Sequence, residues 1–265
     1  MTSPILVTGG TGTLGRHLIP RLHEAGCKVR VLSRGGHEGQ DGIEYVTGDL
    51  ATGEGVEAAV TGAETIVHLA GSAKGDADKA RNLVQAASQA GARHIVYISV
   101  VGADRIPVVS GVDRAMFGYF GAKLAAERLV ADSGIPWTTL RATQFHDLTL
   151  TTAQQMAKMP VIPVPSGVKF QPIDTDEVAA RLAELALGTP AGLVPDIGGP
   201  RVYPMADLLR SYLQASGKHR VLMPVRLPGK AAAAVRAGAN LDPDGAVGHR
   251  TWEDFLAERV SSPAA

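Results

Sequence analysis

The 265-residue chain is 45% apolar, and its 26 lysines and arginines balance 26 aspartates and glutamates. This length and composition suit one large α/β body with a modest appended lobe, and the neutral balance supplies no field for nucleic acid or an anionic membrane. A single cysteine, Cys27, excludes an intramolecular disulfide, and no apolar run approaches the roughly 20 residues that span a bilayer. The opening Met1-Thr2-Ser3-Pro4 lacks the basic and apolar regions of an export signal, so a reducing cytoplasm is the expected location.

Short β-branched runs alternate with stretches of helical period, the pattern of a parallel sheet covered by helices. Ile5 to Val7 reads as a buried strand, Gly9 to Gly15 as a turn, and Leu14 to Ala25 as a helix stopped by Gly26. Further strands are expected at Lys28 to Leu32, Ile43 to Val46, Thr65 to Leu69, Ile95 to Ser99 and Trp137 to Leu140. Val56 to Val60, Lys79 to Ala90 and Phe120 to Ala131 supply covering helices, with Leu83, Val84 and Ala87 marking one apolar stripe. Connection rules fold such a β-α-β series into a doubly wound sheet.

Beyond about Gln144 the alternation loosens and Met156, Met159, Pro160, Pro163 and Pro165 cluster where a helix gives way to an extended segment. Residues 1–145 are therefore expected to form the core, and 146–265 a smaller substrate lobe interleaved with the core's last strands and helices. Within the lobe, Asp174 to Leu187 reads as a helix with Asp174 at its N-cap and Asp176 and Glu177 at the positive end of its dipole. Met205 to Ala215, Ala231 to Ala234 and Thr251 to Val260 complete the expected helices.

Gly9, Gly10, Gly12 and Gly15 satisfy both G-x-G-x-x-G and G-x-x-G-x-x-G between a strand and a helix at the first βα turn. Glycines there let backbone amides approach a diphosphate, whose charge the helix N-terminus favours. Gly9, Thr11, Gly12, Thr13 and Leu14 are the expected diphosphate contacts of a Rossmann-like α/β fold. The second strand ends Leu32-Ser33-Arg34 where a protein selecting NADH presents a carboxylate. Arg34 can instead pair with a 2′-phosphate in bidentate fashion, with Ser33 adding a hydrogen bond, which favours NADP(H) over NAD(H).

With the glycine loop, Ser33-Arg34, Gly48-Asp49-Leu50, His68-Leu69-Ala70-Gly71 and Leu140-Arg141-Ala142-Thr143-Gln144-Phe145, the chain resembles the atypical short-chain dehydrogenase/reductases of the NmrA-like kind. The resemblance implies that Asp49 and Leu50 contact adenine, that Leu69, Ala70 and Gly71 run beside the ribose, and that the segment after Arg141 lines the nicotinamide end. Read without it, Asp49 is equally a turn residue, and Leu69 to Gly71 a small-residue turn.

The superfamily's acid/base pair is a tyrosine followed four residues later by a lysine, and Tyr119 and Lys123 have that spacing at the helix after the fifth strand. Positions i and i+4 share a helix face, so the ammonium is expected to lower the phenol's pKa toward neutrality and to reach the nicotinamide ribose. Val101 stands where relatives with a full triad carry a hydroxyl, leaving Ser99 either to contact the cofactor or to end its strand. Ala103 to Met116 reads as a mobile cover. Phe117, Gln144 and Phe145 are candidate acceptor contacts, with Phe120, Met156 and Met159 as further apolar walls and His146 as a backup acid. No spacing for a metal site, P-loop or nucleophile elbow occurs.

Two functions fit: an NADPH-dependent oxidoreductase acting on a small, largely apolar carbonyl, quinone or related acceptor, or an NADP(H)-sensing regulator with little catalysis, which Val101 favours. Sugar-nucleotide epimerase or dehydratase chemistry fits Arg34 and Val101 less well. Either main reading expects a monomer or homodimer.

Overall fold

The computed structural model describes residues 3–39, 42–71 and 75–260. Its first half runs β1 (Ile5–Thr8), α1 (Thr13–Glu24), β2 (Val29–Ser33), β3 (Ile43–Thr47), α2 (Val56–Val60), β4 (Thr65–His68), α3 (Asp76–Gln89), β5 (His94–Val100), α4 (Gly111–Ala131) and β6 (Trp137–Ala142). There follow α5 (His146–Met156), β7 (Val161–Pro165), β8 (Lys169–Phe170), α6 (Thr175–Leu187), β9 (Gly192–Leu193), β10 (Tyr203–Pro204), α7 (Met205–Ala215), β11 (Val221–Val225), α8 (Lys230–Arg236) and α9 (Trp252–Arg259). No helix among the described residues is long and apolar enough to cross a membrane.

The seven-stranded sheet has the order β3-β2-β1-β4-β5-β6-β9. Val7 of β1 stands level with Val31 of β2 on one side and Val67 of β4 on the other, all running parallel. Every residue of β1 is buried, as both faces of a helix-covered parallel sheet require. Strand order reverses at β1, and the crevice outside the carboxyl ends of strands at such a switch point is where open α/β sheets bind ligands. This is the doubly wound Rossmann-like arrangement expected from the sequence.

The chain divides into two units: Met1–Ser99 with Gly118–Arg141 and Asp176–Pro195, and Val100–Phe117 with Ala142–Thr175 and Asp196–Ala265. Ile66, Leu83, Ile95, Tyr97 and Ala126 belong to the first unit's core, while Ile162, Tyr212, Trp252 and Phe255 belong to the second's. In the second unit two small sheets hold the lobe's extended segments, β7 parallel to β11 and β8 antiparallel to β10.

The loop expected from Ala103 to Met116 is shorter than the sequence suggests. Ala103 and Ile106 are buried, and α4 begins at Gly111. A capping box starts this helix: the Ser110 hydroxyl accepts from the Asp113 amide at 3.0 Å while the Asp113 carboxylate accepts from the Ser110 amide at 3.1 Å. Asp113 also accepts from the Ala231 amide at 3.1 Å, tying this turn to the start of α8.

In the first unit α4 is pinned to β6 by a buried bidentate pair, with Arg141 Nε donating to Glu127 Oε1 at 2.9 Å and Nη2 to Oε2 at 2.7 Å. Removing one partner of such a pair takes away the bidentate contact that helps to offset the cost of a buried charge. Glu127→Ala should therefore lower unfolding free energy by about 3–5 kcal/mol, read from urea midpoints. Glu127→Gln, which keeps acceptor capacity, should cost less.

Candidate active site

The site in the first unit starts at the glycine turn. Gly9 has φ +72°, and a Cβ there would lie 2.8 Å from the Ala70 backbone nitrogen, so the turn rests directly on the exit of β4. Gly15 lets α1 approach the turn, since its Cβ would fall 2.4 Å from Gly10 Cα. Gly12 differs: a Cβ there meets only the Gly9 carbonyl, at 3.2 Å.

Thr11, Gly12 and Thr13 are exposed, whereas Leu14 faces the core. The first turn of α1 has neither an acidic side chain nor a side-chain cap. Unclaimed amides at a helix N-terminus with no competing carboxylate suit a diphosphate. A second fitting observation is the Ser99 hydroxyl, 5% exposed and without a hydrogen-bond partner among the described residues, which a bound polar group would satisfy.

At the tip of β2, Ser33 is buried and its hydroxyl accepts from the Gly35 amide at 3.3 Å. Arg34 follows it, exposed to solvent. Asp49 caps its own turn, its carboxylate accepting from the Ala51 amide at 2.8 Å, and Leu50 packs in the core. Leu69 and Ala70 are half-buried, their amides donating to the Thr8 carbonyl at 3.1 Å and the Thr8 hydroxyl at 3.4 Å.

Lys123 links this exit to α4. A Cβ on Gly71 would lie 3.1 Å from Lys123 Nζ. The ammonium is almost wholly buried, pairs with Asp76 Oδ2 at 3.4 Å and donates to the Ile98 carbonyl at 3.2 Å. Nζ also sits 5.0 Å from the Tyr97 ring centroid and 5.8 Å from that of Tyr119. Burial holds the lysine below its ordinary pKa, although the Asp76 carboxylate opposes that shift.

The expected lowering of the Tyr119 pKa is overturned. Loss of hydration, reinforced by the Asp76 carboxylate, pushes the phenol well above the ordinary tyrosine range. Lys123 faces the ring, and its charge is answered by Asp76, which disfavours phenolate in turn. Tyr119 is 38% exposed as a residue and stays protonated across the physiological range.

Asp76 and His68 are contributors that sequence reasoning missed. Asp76 opens α3, three residues before the expected helix start, and pairs with a lysine far along the chain, so spacing gave no signal. His68 is buried, its Nδ1 lies 2.7 Å from the Thr8 hydroxyl, and its ring stacks on Tyr97 at 5.3 Å. Burial, with the Lys123 and Lys79 charges adding to it, lowers its pKa to about 3, so the ring is a neutral hydrogen-bonding wedge between β1 and β4.

Other candidates lie in the second unit. Phe117 is half-buried in α4, and Phe145 is half-buried at the N-cap of α5. Gln144 accepts from the Gln171 amide at 3.3 Å and borders a cavity between α5 and α7. Met156 packs against the lobe core and Met159 is 38% exposed. His146 is corrected as a backup acid: it is fully buried, stacks on Trp252 and Phe255 at 5.9 and 5.0 Å, and its Nε2 lies 3.0 Å from the Arg250 carbonyl. Asp174 takes the Arg250 guanidinium at 2.6 Å as α6 begins at Thr175.

A sequence model described as NAD(P)H-binding matches residues 9–186, which contain the glycine turn, the β4 exit, Tyr119 and Lys123. The chain belongs to this NAD(P)H-binding family. It is 32% identical over 213 residues to a ceramide reductase of Caulobacter vibrioides, a match covering 72% of this chain and 63% of that protein. It is 30% identical over 189 residues to a (4-alkanoyl-5-oxo-2,5-dihydrofuran-3-yl)methyl phosphate reductase of Streptomyces griseus, covering 70% and 64%. The chain thus spans less than two thirds of these two relatives. An NADPH-dependent quinone oxidoreductase of Escherichia coli, solved with NADPH, shares the fold with a TM-score of 0.79 at 22% identity, over 96% of this chain and 99% of that one.

The His68 shift carries a stability signature. Above pH 6.5 the ring is neutral folded or unfolded and contributes no pH dependence. Below it the unfolded chain takes up a proton that the fold refuses down to about pH 3, so stability falls by about 1.4 kcal/mol per pH unit, or about 2 kcal/mol by pH 5. His68→Asn should flatten the loss between pH 7 and pH 5 by that amount in urea titrations; an unchanged slope would refute the assignment.

Proposed function

We propose that the chain is a cytoplasmic NADPH-dependent oxidoreductase, acting as a monomer or homodimer, that reduces a small, largely apolar carbonyl, quinone or related acceptor. The observation that carries this reading is the Lys123 ammonium, buried against the β4 exit, held by Asp76 and one helical turn from Tyr119. Membership in an NAD(P)H-binding family supports it, as do the reductase names of the Caulobacter, Streptomyces and Escherichia proteins.

In this reading the amides of Thr13 and Leu14 hold the diphosphate over the Gly9 to Gly12 turn, whose own Gly12 amide donates to the Gly9 carbonyl, Ser33 and Arg34 hold the 2′-phosphate, and Ser99 and Lys123 hold the nicotinamide end. Asp49, Leu50 and the Leu69 to Gly71 segment border the adenosine side. The bound nicotinamide supplies hydride. Tyr119 donates its proton to the acceptor oxygen as negative charge develops there. A phenol held above its ordinary pKa is poorly suited to begin an oxidation as a base. Protonated at neutral pH, it can act as the general acid that neutralises the developing oxyanion.

Val101, fully buried where a triad hydroxyl is expected, favours the alternative of nucleotide sensing. Tight NADPH binding with no turnover of quinones, aldehydes or azo compounds would select that alternative.

Arg34→Ala should weaken NADPH binding by about 1 kcal/mol or more while leaving NADH nearly unchanged, as read by calorimetry; equal losses would displace the phosphate assignment. Tyr119→Phe should lower kcat by about 10²–10⁴-fold with NADPH affinity intact. Because its phenol stays protonated, wild-type kcat for reduction should show no basic limb near neutral pH.

A further inference from the structure

The second unit contains a cavity of about 90 Å³ between α5 and α7, near the β8 residue Phe170. Its floor is core, with Ala153, Leu208 and Leu209 each 2% exposed. Its mouth carries Leu148, 58% exposed, beside the exposed Thr152. The pocket therefore runs from solvent into the lobe's apolar interior.

Each of its polar groups makes an internal hydrogen bond. Thr149 and Thr152 donate their hydroxyls to the Phe145 and Leu148 carbonyls at 3.0 and 2.8 Å, the back-bonding expected of threonines within a helix. The Gln144 amide oxygen accepts from the Gln171 amide at 3.3 Å, and its nitrogen donates to the Asn240 carbonyl at 3.5 Å. No charged side chain lines the space, so a charged group would find no counter-ion. The space is also smaller than the roughly 150 Å³ of a dry cavity that holds benzene, which favours a slender chain over a ring.

We propose that this cavity binds the end of an unbranched alkyl chain, with the remainder of the ligand leaving past Leu148. This goes beyond the hydride-transfer reading, because the chain binds whether or not turnover occurs. The test is accordingly made without nucleotide, and NADPH binding is measured separately on the same protein.

The full chain is titrated by calorimetry and thermal shift with straight-chain 1-alkanols from propanol to octanol, and with benzene. Saturable binding and a raised Tm are expected for butanol to hexanol, with none for benzene. Thr149→Leu, which narrows the cavity, should weaken hexanol by about tenfold or more. Leu209→Ala, which enlarges it, should admit benzene. Absence of saturable alkanol binding, hexanol affinity undiminished in Thr149→Leu, benzene binding equal to hexanol in the wild type, or benzene still excluded from folded Leu209→Ala would each overturn the proposal. If Thr149→Leu fails to fold, gain of benzene binding by Leu209→Ala supports the proposal and continued exclusion overturns it.

Discussion

Burying an ammonium costs several kcal/mol unless a carboxylate and hydrogen bonds accompany it, and the first unit meets that demand for Lys123 with Asp76 and the Ile98 carbonyl. The consequences spread outward from this pair. Asp76 fixes the start of α3, Ile98 lies in the central strand β5, and Lys123 sets the rotation of α4. One turn further along α4, Glu127 repeats the strategy against Arg141. The helix bearing Tyr119 is therefore registered on the sheet by two buried ionic contacts, which define its rotation more narrowly than apolar packing would.

The same pair governs the acid chemistry around it. A lone ammonium beside Tyr119 would stabilise phenolate; an ammonium already matched by a carboxylate does not. Asp76 acts with desolvation on both nearby phenols, and Tyr97 as well as Tyr119 is pushed upward. Lys123 acts on His68 in the opposite sense by disfavouring a second positive charge. This interior therefore holds its tyrosines protonated and its histidine neutral, a protonation pattern suited to donating hydrogen bonds and a proton rather than removing one.

The legible part of the fold was the part written in local periodicity. The expected β1, β2, β4 and α7 differ from the observed spans by no more than two residues at either end, because each has a continuous apolar run or stripe bounded by glycine or a polar turn. The glycine loop was legible for a steric reason, since Gly9, Gly10 and Gly15 stand where added Cβ atoms would collide with neighbours. Strands β8, β9 and β10 have two residues each and carry no period. The start of α4 was hidden by Ser110-Gly111, which reads as a loop until Asp113 is recognised as the partner in a capping box. Asp76 was illegible because nothing local distinguishes a helix-opening aspartate from one that reaches a lysine on another element.

The two units place different demands on what they bind. In the first, the exposed Arg34 and the buried Lys123 provide charge, and charge discriminates strongly because a group built to pair with a phosphate gains little from a ligand that lacks one. In the second, the cavity beside α5 and α7 presents methyl and methylene groups whose neighbouring polar atoms are already committed. A wall of that kind selects by shape, and one methylene more or less changes recognition by only about 10–200-fold. An alkyl-binding lobe would accordingly tolerate a family of chain lengths, while a nucleotide site that uses Arg34 for a 2′-phosphate would hold to one phosphate pattern. Breadth toward the apolar ligand then originates in the absence of charged groups from the lobe cavity, and strictness toward the nucleotide in the charges of the first unit.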